Sequence, residues 1–162
     1  MSDAPDCSAA RRTALPALPL TGGCQCGRVR YEIRTAPQVF YLCHCTECQR
    51  QTSSAYGESL RVDPASLGIT GEMATTRRMA ESGAVRLGDF CPGCGVRIQH
   101  RSEGNPGRVN IKAGTLDDTS WLVPAGHIWT GSRQPFVAIG PDELDYPGAP
   151  ADNFAALIAR WQ

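Results

Sequence analysis

FCPGCGVRI, residues 90–98, sets two thiols at the corner between an apolar approach and an apolar exit. Pro92 stiffens the turn, and Gly93 and Gly95 tolerate positive φ, so backbone amides can point at both sulfurs. This is the pattern of a zinc knuckle. A knuckle supplies two ligands, and a closed tetrahedral site needs two more from elsewhere in the chain. Cys24 and Cys26, flanked by Gly22, Gly23 and Gly27, offer such a pair.

A third cluster lies in CHCTECQRQ, residues 43–51, where Cys43, Cys45 and Cys48 fall within six positions. Giving two of these to the knuckle would strand one thiol and leave Cys24 and Cys26 as a site of only two. A division of four and three wastes fewer ligands. It predicts a structural zinc at Cys24, Cys26, Cys91 and Cys94, and a second zinc at Cys43, Cys45 and Cys48 with one position open. Three protein ligands and one exchangeable position is the arrangement of catalytic zinc, completed by water or substrate. The competing reading closes that position with His44, His100 or His127. His44 lies between two ligands, which turns its side chain away from the metal.

Disulfides are the other use for eight cysteines. Thiols one and two residues apart converge on a point more easily than they form unstrained disulfides. No export signal is recognisable, so the expected compartment is the reducing cytoplasm. The apolar run after Arg11 and Arg12 is broken by Pro16 and Pro19, and residues 1–20 read as a flexible leader before a single zinc domain over 21–162. Cys7, in the leader, belongs to no cluster. The chain has no apolar stretch of about 18 residues, so a membrane-spanning helix is not expected. Sixteen basic and sixteen acidic residues cancel, and no block of like charge suits a nucleic acid or an anionic membrane. Lys112 is the only lysine. The arginines suit bidentate contact with carboxylates, which keeps small acidic ligands open.

Val29, Tyr31 and Ile33 alternate with charged residues, the period of a half-buried strand. VFYL at 39–42 reads as a strand delivering Cys43, and further strands are expected at 54–62, 74–79, 84–90, 95–101 and 108–113, separated by turn-forming residues. Only 152–161 has helical spacing, with Asp152 or Asn153 as cap. The predicted class is mainly β: an antiparallel fold pinned by zinc, with a short C-terminal helix.

TGGCQCGRVRYEI, CHCTECQRQTSSAYG, FCPGCGVRI, AGTLDD and HIWTGSRQPF, in that order between Gly22 and Asp145, closely resemble the glutathione-dependent formaldehyde-activating enzyme family, which also includes the centromere protein V relatives. The resemblance implies an Mss4-like zinc fold with the same division of ligands. It also implies carbon-sulfur lyase activity, the reversible joining of formaldehyde and glutathione as S-(hydroxymethyl)glutathione. Two departures bear on the pocket: Thr52-Ser53 stands where many members have Thr-Gly, and Phe136 where Trp often follows the SRxP turn. Tyr56, Ser53, Ser54 or a water can protonate the new oxygen. Arg133 is a candidate carboxylate grip, with His127 and Trp129 as pocket lining. Lys112 and Arg97 read as exposed strand cations, and Glu47 as a solvated loop residue. The alternatives to a lyase are a zinc module that binds glutathione or another thiol conjugate without catalysis, and a structural zinc module for macromolecular partners. The oligomeric state is not written in the sequence.

Overall fold

The computed structural model describes residues 14–80 and 83–162. Strands β1 (Leu20–Gly23) and β2 (Arg30–Ile33) flank the first cysteine pair. β3 (Val39–Cys43) runs into the three-cysteine cluster, helix α1 (Thr46–Thr52) follows, and β4 (Gly57–Val62) returns beside β3. β5 (Leu67–Thr70), β6 (Ala74–Met79) and β7 (Val85–Phe90) lead to the CPGCG turn; β8 (Arg97–Ser102) and β9 (Asn105–Ile111) leave it. β10 (Gly126–Ile128), β11 (Leu144–Tyr146) and helix α2 (Ala155–Trp161) follow.

β1, β2 and β5 form a three-stranded antiparallel sheet, and the other strands form a second sheet in the order β11-β10-β3-β4-β9-β8-β7-β6. The fold is mainly β. Leu20, Val29, Tyr31 and Ile33 share one core with Phe40, Leu42, Leu60, Val62, Ile98 and Ile111, so both sheets contribute to it. β3 also faces a second core, where Val39, Tyr41 and Cys43 meet Ile128 and Leu157 of α2. All five β3 residues are buried. A strand covered on both faces has no polar side to alternate with, which is why VFYLC is a continuous apolar run.

The sheet is not wholly antiparallel: β10 pairs in parallel with both β3 and β11. A second helix, α1, also stands where the sequence suggested only a ligand loop. Its N-cap is Cys45, whose sulfur accepts from the Cys48 amide at 3.4 Å. The expected strands are present with shifted ends, whereas β1, β5, β10 and β11 were not anticipated. Leu20, assigned to the leader, is buried at the start of β1; Cys7 lies outside the described residues. Asp152 rather than Asn153 serves α2, accepting from the amides of Phe154 at 3.1 Å and Ala156 at 2.8 Å. The helix starts later than expected because Asn153 and Phe154 hold φ of 54° and 73°. No helix among the described residues is long and apolar enough to cross a membrane.

Candidate metal centres and cleft

The sulfurs of Cys24, Cys26, Cys91 and Cys94 all lie within 4.8 Å of one another. Two loops built alike bring them there. In each the first cysteine's amide donates to a valine carbonyl five residues on, Cys24 to Val29 at 2.9 Å and Cys91 to Val96 at 3.0 Å. In each a glycine of positive φ, Gly27 at 76° and Gly95 at 77°, donates back to that cysteine's carbonyl. Gly93, also expected to use positive φ, does not. The Val29 amide donates to the Cys24 sulfur at 3.2 Å. Sulfur separations are 3.5 Å for Cys24 and Cys26 and 3.7 Å for Cys26 and Cys91. Four sulfurs on a tetrahedral ion with bonds of about 2.3 Å stand roughly 3.8 Å apart, so the donor set fits a metal ion and is far too open for a disulfide.

Cys43, Cys45 and Cys48 form the second group within the same limit. β3 delivers Cys43, and the first turn of α1 carries Cys45 as N-cap with Cys48 three residues on, the spacing at which a cap meets the third helical amide. The Cys43 and Cys45 sulfurs are 3.5 Å apart, which again suits a metal. Sharing protons among such close thiols drives Cys43 up and Cys45 down, each acting first through the other. Among the described residues the group has three members: no histidine joins it.

Both candidate histidines near it are engaged elsewhere. His44, fully buried, places Nε2 2.8 Å from His127 Nδ1, and the two rings stack with centroids 5.1 Å apart. His127 Nε2 lies 3.3 Å from Glu143. Burial first, then the partner ring, disfavours protonation of His44. His127, a candidate for substrate contact, is buried, with Nδ1 on His44 and Nε2 facing Glu143. His100 is half-buried on β8 and joins neither cluster.

Lys112 also departs from expectation, being 7% exposed rather than a strand-surface cation. Its amide is fixed to the Ile98 carbonyl at 2.8 Å at the end of β9, and its side chain turns toward the three cysteines. Gly57, paired with Cys43 across β3 and β4, makes the room: a Cβ there would lie 3.2 Å from the Cys48 sulfur and 3.5 Å from the Lys112 ammonium. Burial lowers the Lys112 pKa, and the Cys48 and Cys43 thiolates oppose that shift. Arg97, the other strand cation, is half-buried and donates to Thr76 Oγ1 at 3.0 Å.

A cleft of about 650 Å³ opens at the C-terminal end of α1, lined by Gln49, Arg50, Ser53, Ser54, Tyr56 and Phe136 among others. The Tyr56 ring meets His44 edge-on at 5.4 Å. Of the candidate substrate residues, Tyr56 lines this cleft, whereas Trp129 and Arg133 do not. Both are exposed, either side of the turn at Thr130–Ser132. That turn is tied to the site: Gln49 Nε2 donates to the Ser132 carbonyl at 2.8 Å, and Ser132 Oγ to the His44 carbonyl at 3.0 Å. Arg50 was not foreseen from the sequence; the clue lay in its place one helical turn after Glu47, with which it pairs at 3.2 Å. Glu47 itself sits in that first turn of α1 and also pairs with Arg78 at 3.2 Å, so it is held rather than loose.

A crystal structure of a Rhodobacter sphaeroides protein is similar to this chain at 17% identity, over 78% of this chain and 99% of that one, with a TM-score of 0.49. The model of the family described as glutathione-dependent formaldehyde-activating enzyme matches residues 19–132, which hold all seven clustered cysteines and end before Arg133 and Phe136. That match spans most of the sequence, and with it the chain belongs to the glutathione-dependent formaldehyde-activating enzyme family.

Proposed function

We propose that the protein is a zinc-dependent carbon-sulfur lyase that reversibly joins formaldehyde and glutathione as S-(hydroxymethyl)glutathione. The observation that carries this reading is a three-sulfur centre with no fourth protein ligand among the described residues, in a chain of this family. Cys43, Cys45 and Cys48 would hold the working zinc, and Cys24, Cys26, Cys91 and Cys94 a structural one, since sulfur-rich tetrahedral sets suit zinc. Zinc bound at the three cysteines supplies the positive charge that keeps a thiol deprotonated at neutral pH.

The reaction adds S–H across C=O. A sulfur lone pair forms the C–S bond, the carbonyl π pair moves to oxygen, and the proton given up by the thiol ends on that oxygen; the reverse reaction returns both fragments. The protein's own groups orient the partners and manage that proton. The cleft at the end of α1 has room for a tripeptide, and the exposed Arg50 guanidinium on its wall suits a glutathione carboxylate. Tyr56, Ser53 and Ser54 line the same cleft and can donate to the new oxygen, as can a water. Trp129 and Arg133 would serve the substrate only from outside the cleft. Both partners are small molecules, and a reducing compartment such as the cytoplasm keeps the cysteines available.

The test is the exchange of labelled formaldehyde between solution and S-(hydroxymethyl)glutathione, followed by NMR with zinc-loaded protein and with Cys45→Ser. Faster exchange with wild type and only the spontaneous rate with Cys45→Ser is the expected outcome. The spontaneous rate with both proteins overturns the lyase reading and leaves a module that binds thiol adducts.

A further inference from the structure

Among the described residues, three charged side chains besides the histidines are buried: Arg61, Asp89 and Lys112. Two have evident partners. Asp89 accepts from Thr75, Gln99 and Arg101. The Arg61 guanidinium lies 4.1 Å from the Phe154 ring centroid and 5.8 Å from that of Tyr41. Lys112 appears in none of the ion pairs of the described residues. A buried ammonium without a counter-charge is costly. What faces it is sulfur: across the side-chain-free Gly57, the Cys48 thiol and the Lys112 ammonium border the same small space. Glu58, half-buried on β4, feels the Lys112 charge as well, but forms no ion pair with it.

Three thiolates around a divalent ion leave one net negative charge, and an incoming thiolate would leave two. A single fixed cation at the edge of the centre offsets the first and lowers the cost of the second. We propose that Lys112 is the charge-balancing partner of the three-cysteine centre, strengthening its hold on the metal and on an anionic fourth ligand. This rests on the reading that Cys43, Cys45 and Cys48 hold zinc with one open position. The four-cysteine centre has no such partner role for Lys112 and serves as an internal control.

Chelator competition measures zinc affinity at each centre in wild type, Lys112→Met and Lys112→Arg. Lys112→Met should hold zinc at the three-cysteine centre about ten- to a hundredfold more weakly, the range for a group supporting metal ligands, with the four-cysteine centre unchanged. Lys112→Arg, which keeps the charge, should recover most of the loss. Unchanged affinity in Lys112→Met, or equal loss in both variants, overturns the proposal. Wild type that binds only one zinc overturns the proposed function as well, which separates the two failures. A further readout needs no substitution at this residue. Because Lys112 is the only lysine, ¹⁵N-lysine labelling gives one Nζ resonance, which should move when zinc enters wild type and stay still in Cys45→Ser. An Nζ resonance unmoved by zinc in wild type overturns the role even if Lys112→Met does not fold.

Discussion

Ser53 ends α1 with φ of 52°, its amide donating to the Gln49 carbonyl. That left-handed conformation costs an L residue roughly 1–2 kcal/mol, and glycine adopts it freely while losing about 0.5–1 kcal/mol of extra chain entropy. The resemblance marked this position as a departure, serine where glycine is common, and the structure supplies the physical meaning of that departure: the helix must turn sharply here before β4. Ser53→Gly is therefore expected to stabilise the protein by about 0.5–1 kcal/mol, or roughly 1–4 °C in Tm for a chain of this size. Thermal melts of zinc-loaded wild type and variant decide it; a lower Tm would mean that the serine side chain makes up for its backbone. The same variant informs the chemistry. An exchange rate that drops while the melt rises identifies the Ser53 hydroxyl as the donor to the new oxygen.

Among the elements, the junction of β1 and β2 with the segment after β9 shows what sequence spacing can and cannot carry. By residue type alone, both aspartates of AGTLDD suit a turn closed by their side chains. Asp118 does this, accepting from the Ser120 amide at 2.9 Å and its hydroxyl at 2.7 Å. Asp117 instead bridges strands, accepting from Thr21 of β1 at 2.6 Å and from Arg30 of β2 at 3.0 Å. Arg30 first, then Thr21, holds the Asp117 carboxyl below the ordinary range. A carboxyl depressed in the folded state contributes stability that is present above its unfolded pKa of about 3.9 and is lost as pH falls through the lower folded value. Both side chains are nearly half exposed, so the pair is worth only about 0–1 kcal/mol and weakens with salt. Urea midpoints should fall between pH 6 and pH 3 in wild type by slightly more than in Asp117→Asn; equal slopes would remove Asp117 from the acid response. Alternation made β2 readable, and an unbroken apolar run made β3 readable. The strands that went unseen, β1, β5, β10 and β11, have three or four residues each; β2 is as short, but its alternation runs on through residues 28–34, whereas theirs does not continue past the strand. α1 was hidden because its cap is a cysteine, and thiols at that spacing read as ligands before they read as a helix start.

For the molecule as a whole, the two cysteine centres differ in what they join. The partition into four and three was legible because close spacing groups the thiols and only that division leaves no thiol of the three clusters stranded. The burial of Lys112 was not, because it depends on Gly57 opposite Cys43, a pairing set only when β3 and β4 align. In the four-cysteine centre, sulfurs 65 positions apart come within 3.7 Å. It ties the β1–β2 connection to the β7–β8 connection, and so one sheet to the other. The three-cysteine centre gathers residues within six positions, joining the end of β3 to a helix that already follows it. A structural zinc contributes on the order of 10–16 kcal/mol of binding free energy, at or above the net stability of a whole domain, about 5–15 kcal/mol. Losing the long-range centre should therefore unfold the chain, whereas losing the local one removes a ligand site from a fold whose cores remain. Cys91→Ser is expected to lose cooperative melting by circular dichroism and near-native solubility. Cys45→Ser should keep its β spectrum and a cooperative melt, bind one zinc instead of two, and show only the spontaneous exchange rate. Graded chelation of wild type should follow the same order if the open centre is the weaker one, with activity lost first and structure later. The reverse order, a Cys45→Ser protein that unfolds beside a Cys91→Ser protein that melts normally, would exchange the roles of the two centres.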